Sequence, residues 1–470
     1  MKTKELIKRI KLPARASIYY LAASAAGKVV SFIITPFATR LLGKEEFGQF
    51  SLYMALLGGV SVICAAFTSS SAVYKGLQNF KDKGNGYLRA VLGVSLEFSI
   101  LICILLFAFM PIIKLESLLV LPLALQIICD VIVAVAMSGE RFRYNYKTVA
   151  TVSLIVAIVP PVMAITILKI WGGGYTVRIY SLLFVSLCAA VYSLIKLYKG
   201  ERGNAGDSKY ILRTSLPLLP HSISSALSVQ ADKLIISALL GAAALAKYAV
   251  VYSLGIALQF TVTAIGSALT PWIIRRLDSG EVDRISSLII PMTTGYCALS
   301  LFLIAIAPEA MLILAPDDYL DALPALLPLA LSTPLSFISS VTTVGLTYSG
   351  KGRYTVIISS VGTVLCVFLN YILIERYGFI GAGISTLICH IITALLGGLL
   401  LNRVKLKEMI SLCKTTRPLV MSALVGVLIF TIKDNLAARV LTLTLPIAML
   451  LYCLKKAGEL VIEKDRKIAS

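Results

Sequence analysis

Apolar residues recur along this chain in long, nearly unbroken runs, not in the narrow stripe of a helix that lies on a soluble core. A hydrocarbon layer of about 30 Å takes roughly 20 apolar residues per helix, and such runs follow one another from Ser17 to Leu454. Short polar and basic segments part them. The pattern predicts about fourteen membrane helices, over residues roughly 17–39, 47–71, 88–110, 117–138, 148–169, 176–196, 214–240, 246–271, 286–313, 322–348, 354–374, 379–401, 416–432 and 436–454. The expected class is therefore an all-α integral membrane protein with almost no room for a soluble domain.

An internal echo bears on how these helices are grouped. LLGKEEFGQFSLYMAL begins at Leu41 and LLGAAALAKYAVVYSL at Leu239, an offset of about 198 residues that carries helices one and two onto seven and eight. Repeats of six helices follow, and an even number makes them parallel. The expected organisation is a basic cytoplasmic N-terminus (1–16), a six-helix bundle (17–198), a cytoplasmic linker around KGERGNAGDSK (199–212) and a pseudo-symmetric second bundle (213–402). Two additional helices (403–455) and a basic cytoplasmic tail (456–470) complete it.

Composition agrees: of 470 residues, 58% are hydrophobic and 14% charged, where a soluble domain is nearer a quarter charged. The net charge of +20 would suggest nucleic acid in a soluble protein, so the placement of the cations decides. With both termini in the cytoplasm, about 33 of the 44 Lys and Arg fall in inner segments, Arg89, Arg141 and Arg143 among them, and about 9 in outer loops. The charge is topological, and nucleic acid drops out. Nine cysteines without a CxxC pair are expected as reduced thiols in apolar surroundings, and the first apolar run, longer than a signal-peptide core, is expected to stay attached.

Ionisable groups at membrane depth need a partner or a hydrated cavity, and five positions qualify: Lys28, Glu97, Asp130, Asp232 and Lys233. Lys28, about eleven residues into the first helix, is the sharpest case, because snorkelling from the midplane is difficult and a cation in a polar cavity suits a phosphorylated or acidic headgroup. Asp232 and Lys233 read equally as an ion pair that locks helix packing, and hydration at a cytoplasmic helix end also accommodates Glu97 and Asp130. Gln126 and Asp130 share a helix face, and Gln230, Gln259 and Asn370 add neutral groups that suit a sugar or interhelical hydrogen bonds. His221 and His390 have no metal-ligand spacing. Prolines such as Pro36, Pro160, Pro161 and Pro334 can bend helices.

Three blocks carry a family resemblance. ITPFATRLLGKEEFGQFSLY resembles the end of helix one and start of helix two in bacterial oligosaccharide (polysaccharide biosynthesis) flippases of the multidrug/oligosaccharidyl-lipid/polysaccharide exporter superfamily. SLPLLPHSISSALSVQADKLIISALLG is similar to their helix-seven pattern, and GKGRYTVIISSVGTVLCVFLNYILIERYGFIGAGISTLI to helices eleven and twelve. The resemblance implies two lobes around a central cavity, no enzymatic chemistry, and alternating access in a bacterial inner membrane for an undecaprenyl-diphosphate-linked oligosaccharide destined for surface polysaccharide. By the same resemblance Lys28 falls where related flippases carry a cavity-facing cation. The substrate-binding candidates are Lys28, Gln126, Asp130, Gln230 and Asn370; the coupling or gating candidates are Asp232, Lys233 and Glu97, with Asp130 also available. The expected partners are membrane lipids, the lipid-linked glycan, and a polysaccharide polymerase with its chain-length machinery. No cofactor is expected beyond H+ or Na+ coupling, and there is no GxxxxGK[ST] loop for ATP. The alternatives are a multidrug exporter, against which Lys28 argues, a membrane-embedded glycan polymerase, which would want long outer loops, and a non-transporting scaffold.

Overall fold

The computed structural model describes residues 2–64, 66–68, 70–80, 84–108, 117–199, 205–404, 406–433 and 435–468, and among these there is no strand. The helices are α1 (Lys2–Leu41), α2 (Lys44–Cys64), α3 (Ser70–Asn79), α4 (Gly84–Ala108), α5 (Val120–Phe142), α6 (Tyr146–Trp171), α7 (Gly174–Leu197), α8 (Ala205–Ser215) and α9 (Leu219–Leu240). They continue with α10 (Ala242–Asp278), α11 (Val282–Leu314), α12 (Leu326–Tyr348), α13 (Gly352–Tyr377), α14 (Phe379–Arg403), α15 (Leu412–Thr431), α16 (Leu436–Thr442) and α17 (Thr444–Ile468). Fourteen helical segments among the described residues are long and apolar enough to cross a membrane. Side chains such as Ile104, Phe107, Phe184, Ile195, Leu424 and Leu451 are exposed, which in water would invite aggregation and in lipid is the required outer surface.

Several boundaries differ from the sequence expectation. The second membrane helix ends at Cys64, not near residue 71, and a separate short α3 follows it. A 3-10 segment, Asp317–Ala325, precedes α12, and the final span is broken at Leu443 between α16 and α17. Within the 199–212 segment a helix begins at Ala205. Hydropathy sees the apolar interval but not where the backbone stops hydrogen-bonding to itself.

The contacts divide the chain into two compact units, Met1–Ala246 and Lys247–Ser470. In the first, α1 packs on α6, α5 on α7, and α9 along α2. Gly48 makes the approach to the start of α10 possible, because a Cβ there would lie 1.9 Å from the Ala242 carbonyl oxygen. The core of this unit gathers Phe67, Tyr87, Leu88, Val135 and Val149. In the second, α12 packs on α14 and α13 on α14, while α11 meets α12, α15 and α17. Its core includes Tyr296 against Phe337, ring centroids 4.8 Å apart, with Ile285, Val341 and Leu401.

Within the second unit Arg439 fastens α16 to α11. It is 5% exposed and gives its guanidinium to both carboxylate oxygens of Glu309, at 2.8 and 2.5 Å, and to the Ala305 carbonyl at 2.7 Å. Two N–H groups facing two oxygens form the planar fork that lysine cannot copy. Because Glu309 is half-exposed, the loss on Arg439→Ala is set below the fully buried range, at about 2 kcal/mol. The measurement is thermal unfolding of the purified protein in detergent: Arg439→Ala is expected to lower the midpoint, Arg439→Lys to recover part of it, and an unchanged midpoint in both removes the staple from the stability of the unit.

Candidate functional site

Helices α1 and α6 of the first unit meet through small residues. Gly27 faces Ala157 so closely that an added Cβ would sit 3.2 Å from the alanine methyl. Beside this contact opens a groove of about 400 Å3, lined by Tyr20, Ser24, Lys28 and Ser31 of α1, Ser153 of α6 and Arg141 at the end of α5. Lys28 is exposed and has no ion-pair or hydrogen-bond partner among the described residues. Arg141 lies 5.8 Å from the Tyr20 ring centroid, and the Tyr20 hydroxyl is buried without a hydrogen-bond partner. Eight residues separate Tyr20 from Lys28, about 12 Å of helix. The groove thus holds a cation toward each end, hydroxyls between them, and no carboxylate in its lining. Long cationic stems converging on hydroxyls make a receptor for an elongated anion.

From Ser31, which lines this groove, a ladder of hydroxyls runs along α1. Ser31 donates to the Gly27 carbonyl at 3.0 Å, Thr35 to that of Ser31 at 2.9 Å, and Thr39 to that of Thr35 at 3.1 Å. Such back-bonding satisfies each hydroxyl proton inside its own helix. On its other side α6 forms with α7 an apolar groove of about 630 Å3 that includes Ile155, Val159, Phe184 and Cys188.

A second polar cluster lies within the first unit. Gln126 of α5 donates through Nε2 to Asp130 Oδ1 at 3.0 Å and to Ser186 Oγ of α7 at 2.6 Å. The amide oxygen of Gln126 and the hydroxyl of Tyr53, on α2, are both buried and unpartnered.

The remaining candidates are placed apart from these two groups. Gln230 rests on Gly58 and Gly59 of α2, with its amide nitrogen 2.8 Å from where a Cβ of Gly58 would be, so it packs the α2–α9 contact. Lys233 bonds to its neighbour, Nζ to Asp232 Oδ1 at 3.2 Å, and also to the Val229 carbonyl at 2.8 Å. Glu97 is exposed on α4. In the second unit Asn370 is fully buried and donates to Cys366 Sγ at 3.2 Å.

Other residues have structural roles that the linear pattern does not show. Glu140 is 3% exposed and accepts from Lys196 at 2.7 Å and from Asn145 at 2.8 Å, with Arg143 at 3.6 Å. Arg143 also reaches Asn85, and Arg89 donates to the Leu197 carbonyl at 2.9 Å. The starts of α4 and α6 and the ends of α5 and α7 are clasped by these bonds. Arg178 is half-buried within α7, its guanidinium 3.7 Å from the Phe50 ring centroid. Acids in basic loops and cations at helix starts look like solvated ends in a sequence; their partners are remote.

A family model described as "Polysaccharide biosynthesis protein" matches residues 14–276, more than half of the chain. The chain is 22% identical over 314 residues to "Lsg locus putative protein 1" of Haemophilus influenzae, which covers 65% of this chain and 75% of that one. Among solved structures, "Lipid II flippase MurJ, inward closed conformation" superposes with a TM-score of 0.73 at 15% identity, covering 95% of this chain and 100% of the other. An inward-facing multidrug resistance MATE family transporter of the MOP superfamily superposes at 0.60 and 15% identity, covering 81% and 95%. A MOP superfamily transporter from Pyrococcus furiosus, described as having a binding pocket of reverse polarity, superposes at 0.56 and 16%, covering 84% and 96%. With a fold like that of the MurJ and MATE structures and more than half its length matched by the family model, the chain belongs to the polysaccharide biosynthesis protein family.

Proposed function

We propose that the protein is a flippase that carries undecaprenyl-diphosphate-linked oligosaccharide units from the inner to the outer leaflet of a bacterial plasma membrane by alternating access. The observation that carries this reading is the groove of Lys28, Arg141 and the free Tyr20 hydroxyl, with no carboxylate in its lining. Lys28 and Arg141 hold the diphosphate, and Ser24, Ser31 and Ser153 face the first sugar. An organic cation would be repelled by the same groove, which disfavours drug export. Family membership and the MurJ-like fold support a lipid-linked cargo. Moving such a headgroup costs mainly its desolvation, and a hydrated, cationic groove replaces the lost water while the tail stays in lipid. Surface polysaccharide such as O-antigen, capsule or exopolysaccharide is the product, and the polymerase and chain-length machinery the downstream partners.

The test is a deletion strain. Lipid-linked oligosaccharide is expected to accumulate on the cytoplasmic face and surface glycan to disappear, both reversed by the wild-type gene. Normal surface glycan together with raised drug sensitivity replaces this reading with the exporter one.

A further inference from the structure

Helix α6 borders two grooves, one on each side. Its Ser153 lines the cationic groove of Lys28, and its opposite side forms with α7 the apolar groove of about 630 Å3. That volume lies within the range of roughly 300–1,000 Å3 usual for ligand pockets. The second groove is graded along its length. At the start of α6 it is polar, bounded by Lys147, Thr148 and Thr151 with Tyr192 of α7, and farther in it is walled by Ile155, Val159, Phe184 and Val185. From Lys147 to Val159 is about 18 Å of helix, close to half of a hydrocarbon layer of about 30 Å. A cleft that is polar at a helix end and apolar down to the midplane has the profile of a lipid in one leaflet.

The polar end is uncommitted. Lys147 is exposed and has no ion-pair or hydrogen-bond partner among the described residues. The hydroxyls of Thr148 and Thr151 have no hydrogen-bond partner there either, whereas Thr166 of the same helix and Thr35 of α1 donate back to their own backbone. No carboxylate lines the groove. Glu140, the acid that precedes Lys147 in the chain, is taken up by Lys196 at 2.7 Å, and the same ammonium stands 6.0 Å from the Tyr192 ring centroid. Lys147 therefore keeps its charge for something outside the chain. A hydrocarbon tail alone would leave it unpaired; an anionic headgroup above the tail pairs it.

We propose that the α6–α7 groove binds an anionic phospholipid of the membrane, its phosphate on Lys147 with the Thr148 and Thr151 hydroxyls donating to it, and one acyl chain laid along Ile155, Val159, Phe184 and Val185. By the distribution of basic residues this is the cytoplasmic leaflet, whose anionic lipids give that surface its charge. The occupant is membrane lipid and not cargo, because the groove lies on the side of α6 away from Lys28 and Arg141. Seated there, the lipid backs α6 from behind the cationic groove. What that does for transport rests on the flippase reading; the binding does not.

The experiment is photocrosslinking of the purified full-length protein in phosphatidylcholine nanodiscs. The probe is a trace of phosphatidylglycerol with a photoactivatable group midway along one acyl chain, or phosphatidylcholine with the same chain, and adducts are mapped by mass spectrometry. Phosphatidylglycerol is expected to label residues 155–159 or 184–188 about fivefold more than phosphatidylcholine does, the factor that one cation gives an anionic headgroup. Lys147→Ala is expected to bring that labelling down to the phosphatidylcholine level and to leave labelling elsewhere on the chain unchanged. Cys188→Phe, which fills the groove from its α7 wall, is expected to lose the adduct while Lys147 is intact, so the acyl site is tested apart from the headgroup site. Four outcomes would each overturn the proposal: equal labelling by the two lipids, labelling that persists in Lys147→Ala, protein–protein crosslinks in place of lipid adducts, or displacement of the probe by a short-chain prenyl diphosphate but not by excess phosphatidylglycerol. Because the wild-type comparison uses no cargo, its failure is distinct from a failure of the deletion-strain test.

Discussion

Lys28→Ala is expected to leave folding intact and to abolish export of lipid-linked glycan, while Lys28→Arg retains most of it. The side chain is exposed and has no hydrogen-bond or ion-pair partner among the described residues, so truncating it breaks no contact of that kind. On the flippase reading, what it loses is a charge-assisted contact to the phosphate. Hydrogen bonds to charged groups contribute about 1.5–3 kcal/mol, which is roughly 10- to 100-fold in headgroup affinity. The measurement is binding of a short-chain prenyl diphosphate to purified protein, with complementation of the deletion strain beside it. The arginine variant keeps charge and gains a fork suited to phosphate. Since the groove is open, the wild-type affinity is also expected to fall with ionic strength, and that salt dependence to shrink in Lys28→Ala. Equal binding by wild type and Lys28→Ala at low salt would dissociate the groove from the headgroup.

Glu140→Ala is expected to be the most destabilising single change in the first unit. The carboxylate is 3% exposed and is shared among Lys196, Asn145 and Arg143, so its removal leaves cations and an amide aimed at an empty position. Breaking a buried pair from one side costs about 3–5 kcal/mol, and the partial exposure of Lys196, at 33%, places this case near the lower end. Thermal unfolding of Glu140→Ala, Lys196→Ala and the double variant measures the coupling directly. A coupling of about 1 kcal/mol or more is expected; additive losses would mean that the two side chains act independently.

These residues also show what a sequence exposes and what it hides. The thickness of the bilayer imposes a length on every span, which is why the fourteen helices were legible from hydropathy. Lys28 stood out because a cation interrupts an apolar run, and the Gln126–Asp130 contact because four residues make one helical turn. Ser186, Tyr53 and Tyr20 did not stand out. Each is an ordinary residue at an ordinary spacing, and becomes notable through a neighbour 60 or more positions away or a hydroxyl that packing leaves unpaired. Arg141 was read as a marker of orientation, a role that its place in the groove does not contradict. Glu140 carries no mark in the sequence, because the Lys196 that pairs with it is 56 positions away.

The hydroxyl ladder on α1 has a kinetic meaning. Ser31 and Thr35 have already committed their protons to carbonyls of their own helix, so on the flippase reading a sugar sliding past them finds lone pairs and few donors to hold it. Such a wall is smooth in the sense of friction: no position is deep enough to become a trap. A carrier of bulky glycans is served better by weak, evenly spaced holds than by one strong grip, because residence time at the deepest point limits turnover.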